Sequence, residues 1–75
     1  MRAYILIETA AGTTAAVKAQ LGKVEEVMHA DTVTGPFDLI AVVETAAQGH
    51  LGDLILGRLH QIPGISRTMT CFVIE

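Results

Sequence analysis

Asp38 is the residue of this sequence that most demands a chemical partner. It stands just before the apolar run Leu39 to Val43, inside F-D-L-I-A-V-V-E (37–44). An ionised carboxylate beside a buried strand needs a cation or hydrogen-bond donors, because burying an unpaired charge is costly. A free amino acid would suit such a place. Its ammonium would meet Asp38, and its carboxylate would take backbone N–H groups or hydroxyls in charge-assisted bonds. Gly35, three residues earlier in V-T-G-P-F-D (33–38), lets a ligand come close to the backbone. Thr34, and Thr68 and Thr70 in I-P-G-I-S-R-T-M-T (62–70), could donate hydroxyls. Each of these residues also has a plain structural reading. Gly35-Pro36 makes a turn, Pro63-Gly64 stops a helix, and the threonines edge a strand. On the same reading Asp38 cages the Gly35 turn by accepting its backbone N–H groups.

Other chemistry finds little support. Ser66 is the sole serine, and no Gly-x-Ser-x-Gly surrounds it. Cys71, the one cysteine, forms no internal disulfide and reads as a small core residue rather than a reactive thiol. His29, His50 and His60 are not at metal-ligand spacing. His50 and Asp53 sit i, i+3 on a helix but lack a third ligand, so no metal and no cofactor are expected. There is no Cys-x-x-Cys, and no Gly-rich phosphate loop follows a strand.

Five Lys plus Arg face eight Asp plus Glu, for a net charge of −3. The basic residues Arg2, Lys18, Lys23, Arg58 and Arg67 are scattered rather than clustered. Phosphate neutralisation needs clustered cations, so direct nucleic-acid binding is not expected. No basic amphipathic membrane helix is present, and no apolar run approaches the ~20 residues of a spanning helix. Glu8 interrupts the run Ala3 to Ile7 too early for a signal peptide. The expected place is the cytoplasm.

The elements that must position these residues follow from periodicity. Ala3 to Glu8 is a strand apolar at consecutive positions, hence buried on both faces. Thr9 to Gly12 is a loop, and Thr13 or Thr14 offers an N-cap hydroxyl. Val17, Leu21 and Val24 share one helical face, so a first helix covers 13–21, with Gly22 as its stop. Val24 to Thr34 has period two with neither face cleanly apolar, which suits an edge strand. Phe37 to Glu44 is a second doubly buried strand, and Thr45 to Gly49 a loop or helix entry. Leu51, Leu54, Ile55, Leu59 and Ile62 form an amphipathic helix that Pro63-Gly64 ends. Ile65 to Glu75 is the last strand, with Thr68 and Thr70 on one face and Met69 and Cys71 on the other.

The order β-α-β-β-α-β carries a weak internal echo. Ile7-Glu8-Thr9-Ala10-Ala11 recurs as Val43-Glu44-Thr45-Ala46-Ala47. Two such halves make an α+β, ferredoxin-like fold: a four-stranded antiparallel sheet with both helices on one face and the first and third strands central. One domain spans 1–75. Apolar residues make up 51% of the chain. A chain of this length buries only about 60% of its unfolded surface. The central strands therefore leave an apolar patch of roughly several hundred Å2 on the helix-free face, more than a stable monomer usually exposes. A second copy of the same face would cover it in a two-fold dimer, the dimeric α/β barrel arrangement.

Taken with that order, V-T-G-P-F-D-L-I-A (33–41) and P-G-I-x-x-T-x-T (63–70) resemble the C-terminal effector (RAM) domain of the Lrp/AsnC, leucine-responsive or feast/famine, regulators. The resemblance covers essentially the whole chain. It implies amino acid binding in clefts between dimers, with the Gly-x-x-Asp turn as part of the cleft. That places Gly35 and Asp38 in the site, Phe37 and Thr34 beside them, and Thr68 and Thr70 on the last strand. It also implies homodimers that assemble further, and full-length regulators as possible partners. Such regulators carry a helix-turn-helix before this domain. Here Met1 leads directly into the first strand, as in stand-alone family members. The leading expectation is a non-catalytic amino acid sensor and oligomerisation module. The alternatives are a small enzyme of the dimeric α+β barrel class (monooxygenase or isomerase-like), using Tyr4, His29 or Cys71 in a cavity between sheet and helices, and a pure assembly module without ligand. An ACT domain shares the strand order but fits the motif pair less well.

Overall fold

The computed structural model describes residues 1–46 and 48–75. The strands are β1 (Arg2–Thr9), β2 (Val27–Thr32), β3 (Leu39–Glu44) and β4 (Ile65–Phe72). Helix α1 (Thr14–Leu21) follows β1, and α2 (Gln48–Gly57) follows β3. A short 3-10 turn, Leu59–Gln61, leads toward β4. The sheet order is β2-β3-β1-β4, and every neighbouring pair is antiparallel. The two doubly apolar runs are therefore the central strands, as their composition requires, and the poorly patterned β2 lies at an edge.

Register divides the sheet into two faces. Opposed residues of an antiparallel pair point the same way. Ile7 lies opposite Leu39 on one side and Thr68 on the other, and Ile5 lies between Ala41 and Thr70. Ala3, Ile5, Ile7, Leu39, Ala41 and Val43 are buried, and with Val17, Leu21, Val24, Leu51, Leu54 and Leu59 they form the core under the helices. The intervening residues turn away from the helices. They are Tyr4, Leu6, Ile40, Val42, Met69 and Cys71, with Tyr4 41% and Met69 49% exposed. Two ion pairs, Arg2 with Glu44 at 3.2 Å and Arg67 with Glu8 at 3.7 Å, and a His29–Asp31 hydrogen bond at 2.8 Å rim this second face.

Several local expectations are corrected. Thr13 is the N-cap residue of α1, but its hydroxyl makes no capping bond. It donates to the Ala10 carbonyl at 2.7 Å, which fastens the 10–13 loop. Gly22 keeps right-handed helical angles, so the helix stops without using glycine's conformational freedom. The chain from Val24 to Glu26 turns rather than extends, because Val24 sinks into the core with α1. β2 is thus shorter than the period-two run, and a bulge between Val27 and His29 leaves Met28 60% exposed. Phe37 and Asp38 precede β3 instead of belonging to it. Helix α2 begins at Gln48 and ends at Gly57, several residues before Pro63. The loop expected at 45–49 falls partly on Ala47, which lies outside the described residues. Cys71 is exposed on the helix-free face and not a core residue of the protomer.

Gly64 is the glycine that packing requires. Its φ is +104°, and a Cβ there would lie 2.7 Å from Thr13 Oγ1 and 2.9 Å from Val17 Cγ2. Its carbonyl accepts the Ala10 N–H at 2.8 Å. The Pro63-Gly64 corner thereby clamps the start of β4 against the start of α1.

Candidate functional site

The β2–β3 loop brings Thr34, Gly35, Phe37 and Asp38 to the end of the sheet where β1 finishes. Gly35 has φ +133°, a backbone state that side chains disfavour, and nothing lies within 4 Å of the place a Cβ would occupy. The glycine serves the turn's angle, and the space beside it is open. The Asp38 backbone pins the loop down. Its N–H donates to the Ile7 carbonyl at 2.9 Å, and its own carbonyl accepts the Val33 N–H at 2.9 Å.

The half-buried Asp38 carboxylate finds its donor in the main chain. Oδ2 accepts the Thr9 N–H at 2.8 Å. That N–H lies where the β1–β4 register shifts between Glu8 and Thr9. A bulge disrupts the ladder locally, and an acceptor from outside the ladder can then take an amide the ladder leaves over. The caging reading of Asp38 is therefore corrected. The carboxylate secures the end of β1, 29 residues away in sequence, rather than the Gly35 N–H groups.

Phe37 is half-buried, and the Arg67 guanidinium lies over its ring, 5.4 Å from the centroid. Arg67 also reaches Glu8. A cation over an aromatic face is held by the ring quadrupole, so Arg67 ties the 34–38 loop to β4 across the end of β1.

Thr68 and Thr70 belong elsewhere. Both face the helix side of β4, opposite Ile7 and Ile5. β1 runs between β4 and β3, so they do not join the Asp38 loop. Thr68 Oγ1 lies 3.0 Å from His60 Nε2. An open groove of about 340 Å3 runs along this edge, lined by His60, Ile65, Ser66, Arg67 and Thr68. His60, Arg67 and the Thr9 N–H were not marked out by the sequence, since their contacts join positions that no local spacing relates. Among the described residues no group of three or more His, Cys, Asp or Glu could hold a metal. Tyr4, His29 and Cys71 do not point into a space between sheet and helices. Their register puts them on the opposite face.

The structure is that of a ferredoxin-like α+β domain with one helix-free sheet face and the Gly35–Asp38 loop at its end. The chain belongs to the Lrp/AsnC family: the model of the Lrp/AsnC ligand binding domain matches residues 2–75. It is 35% identical over 75 residues to the HTH-type transcriptional regulator FL11 of Pyrococcus abyssi (strain GE5 / Orsay). That match takes in 100% of this chain and 49% of the relative, so the chain spans about half the length of the curated protein it resembles. The crystal structure of FFRP-DM1 superposes with a TM-score of 0.93 at 37% identity, over 97% of each chain. The L-Met complex of the transcriptional regulator NMB0573 from Neisseria meningitidis shares the fold, with a TM-score of 0.89 at 20% identity, over 99% of this chain and 49% of that one. FL11 and NMB0573 are transcriptional regulators, and the matched family is a ligand binding domain, which favours the binding-module expectation over the small enzyme.

Proposed function

We propose that this chain is a non-catalytic amino acid sensor that works as a dimer and as assemblies of dimers. The observation that carries the reading is the Asp38 carboxylate, half-buried beside the open Gly35 turn in a ligand-binding domain of regulators. Asp38 offers the effector's ammonium a counter-charge. Thr34 and the Gly35 backbone stand beside it and Phe37 supplies an apolar wall, whereas Thr68 and Thr70, on the helix side of β4, would reach such an effector only from a neighbouring protomer. The L-Met complex of a relative with the same fold supports an amino acid as the class of ligand. The bare face of Tyr4, Leu6, Ile40, Val42 and Met69 supports self-association. In this reading the chain acts in the cytoplasm, and full-length Lrp/AsnC regulators are its natural partners, through mixed assemblies.

A thermal-shift screen of the twenty amino acids tests the proposal. A ligand present at 100 times its Kd stabilises by about 2.7 kcal/mol, which is a shift of many degrees for a domain of this size. One or a few amino acids should raise the Tm. No response to any of them at millimolar concentration would sink the sensor reading and favour a pure assembly module.

A further inference from the structure

We infer that Arg67 makes the order of the 34–38 loop depend on pairing of the helix-free faces, and so couples effector binding to dimerisation. The inference rests on the proposed function, since it concerns the regulation of the same site. Arg67 stands opposite Glu8 in the β1–β4 register, one residue from the Ile7–Thr68 pair that faces the helices. Successive residues of a strand point to opposite faces, so Arg67 and Glu8 lie on the helix-free face. Their ion pair belongs to the rim of that face. The same guanidinium lies 5.4 Å from the ring centroid of Phe37, the residue before Asp38. One side chain therefore touches both the effector loop and the surface that pairs.

Neither contact is strong in an isolated protomer. The side chains of Arg67 and Glu8 are 58% and 43% exposed, and they approach only to 3.7 Å. Water screens such a pair, which contributes little while it is exposed. A cation over an aromatic ring is likewise held weakly at an exposed site and more firmly once desolvated. A second copy on the helix-free face leaves the outer side of the rim wet but crowds the guanidinium from the inner side. That restricts its rotamers and lowers the local dielectric, which strengthens both contacts. Arg67 then stays on Phe37, and Phe37 holds the loop down. The loop has little else to fasten it. Gly35 has φ +133° in open space, and Thr34, Gly35 and Pro36 are exposed. Two main-chain bonds close it, from the Val33 N–H to the Asp38 carbonyl and from the Asp38 N–H to the Ile7 carbonyl, each 2.9 Å. An effector that binds the closed loop is spared the cost of closing it, so the dimer binds more tightly than the protomer. By reciprocity the effector tightens the dimer by the same factor. Arg67 is a positioning residue in this scheme, acting on the effector through Phe37.

Amide hydrogen exchange of the whole chain, without ligand, tests the coupling. The Val33 and Asp38 amides report opening of the loop, and the Ile5 amide in central β1 reports opening of the core. In the wild-type background Arg67→Gln should speed exchange at Val33 and Asp38 about tenfold, the effect of losing a desolvated cation over a ring. In a Val42→Asp background, where the faces are separated, the same change should speed it only about twofold, the exposed value. Ile5 exchange should not follow in either background. Phe37→Leu should reproduce Arg67→Gln and add little to it. Arg67→Lys, which keeps a cation, should restore most of the protection. Where Val42→Asp does not fold, dilution of the wild-type and Arg67→Gln chains through their dimer transition, followed by light scattering, supplies the separated state. A smaller effect in the separated state supports the coupling. Equal effects in the paired and separated states overturn it, as does unchanged exchange at Val33 and Asp38 in Arg67→Gln. Uniform acceleration that includes Ile5 also overturns it, because Arg67 then stabilises the whole sheet. An amino acid screen without response sinks the sensor reading and leaves the loop's dependence on pairing standing.

Discussion

At the scale of single residues, Asp38 has two tasks that can be separated chemically. Its Oδ2 accepts the Thr9 N–H, a structural task. Its charge is the feature that would serve an effector's ammonium. Asp38→Ala removes both. It should lower stability by about 1–3 kcal/mol, since the Thr9 amide loses a charged acceptor. For a domain of this size that is roughly 4–8 °C per kcal/mol in calorimetry. Asp38→Asn keeps a carbonyl oxygen for the Thr9 N–H and discards the charge. It should melt close to wild type yet bind the effector about 10- to 150-fold more weakly by isothermal titration, the equivalent of 1.5–3 kcal/mol. Wild-type affinity in Asp38→Asn would show that the carboxylate is there for Thr9 alone. The demand for a partner was legible in the sequence, because Asp38 abuts an apolar run. The identity of that partner was not, because a contact across 29 residues leaves no local pattern. The glycines make a second comparison. Gly35→Ala meets only an unfavourable φ in open space and should cost about 1 kcal/mol. Gly64→Ala adds a clash with Thr13 and Val17 to the same strain, and should cost about 2–4 kcal/mol by urea denaturation. Equal losses would show that the loop against Thr13 yields to the added methyl.

At the scale of elements, the apolar patterns carried most of the information. β1 and β3 carry consecutive apolar runs, Ala3 to Ile7 and Leu39 to Val43, and both are central in the sheet, as those runs predict. The ends of elements were less legible. Val24 belongs both to the α1 face and to a period-two run, and the core decided between them by burying it. Bulges at Met28 and at Glu8/Thr9 arise from register between strands, which a single strand's sequence does not encode. The end of α2 shows a similar override. The i, i+3, i+4, i+8, i+11 pattern reads as one helix, but the chain breaks at Arg58, with φ −127°, and restarts as a 3-10 turn. Leu59 still reaches the core at 0% exposure, so the apolar pattern held while the backbone changed. Leu59 therefore anchors the turn that carries His60 to Thr68. Leu59→Ala should cost about 2–5 kcal/mol in chemical denaturation, the range for a fully buried leucine. It should also loosen the His60–Thr68 contact, visible as a shift of the His60 ring resonances. A loss below about 1 kcal/mol would mean that the turn collapses onto the cavity without penalty.

At the scale of the whole molecule, the helix-free face decides how the chain exists in solution. Helices cover the side of Ala3, Ile5 and Ile7, while on the other face Tyr4 and Met69 are exposed and Leu6, Ile40 and Val42 are only half-buried. The rim pairs Arg2–Glu44, Glu8–Arg67 and His29–Asp31 surround that apolar centre with both signs of charge. A two-fold axis through such a face sets the apolar centre against itself and leaves the rim wet, which is how isologous interfaces are built. A core of this size alone is marginal, so much of the stability should come from association. Two consequences can be measured. The melting temperature should rise with protein concentration, because a partner that binds only the folded state stabilises by mass action. Light scattering at micromolar concentration should report a dimer or a multiple of it. Val42→Asp sets the cause. Val42 is central on the bare face and opposite Tyr4 and His29, so its side chain touches none of the helix-side core. An aspartate there would be tolerated by a monomer and would be an unpaired buried charge in a face-to-face dimer, a penalty of about 3–5 kcal/mol. The variant should therefore dissociate, and its melting temperature should fall and lose its dependence on concentration. A Val42→Asp protein that stays dimeric at wild-type stability would place the contact on another surface, with the sheet face left open to solvent.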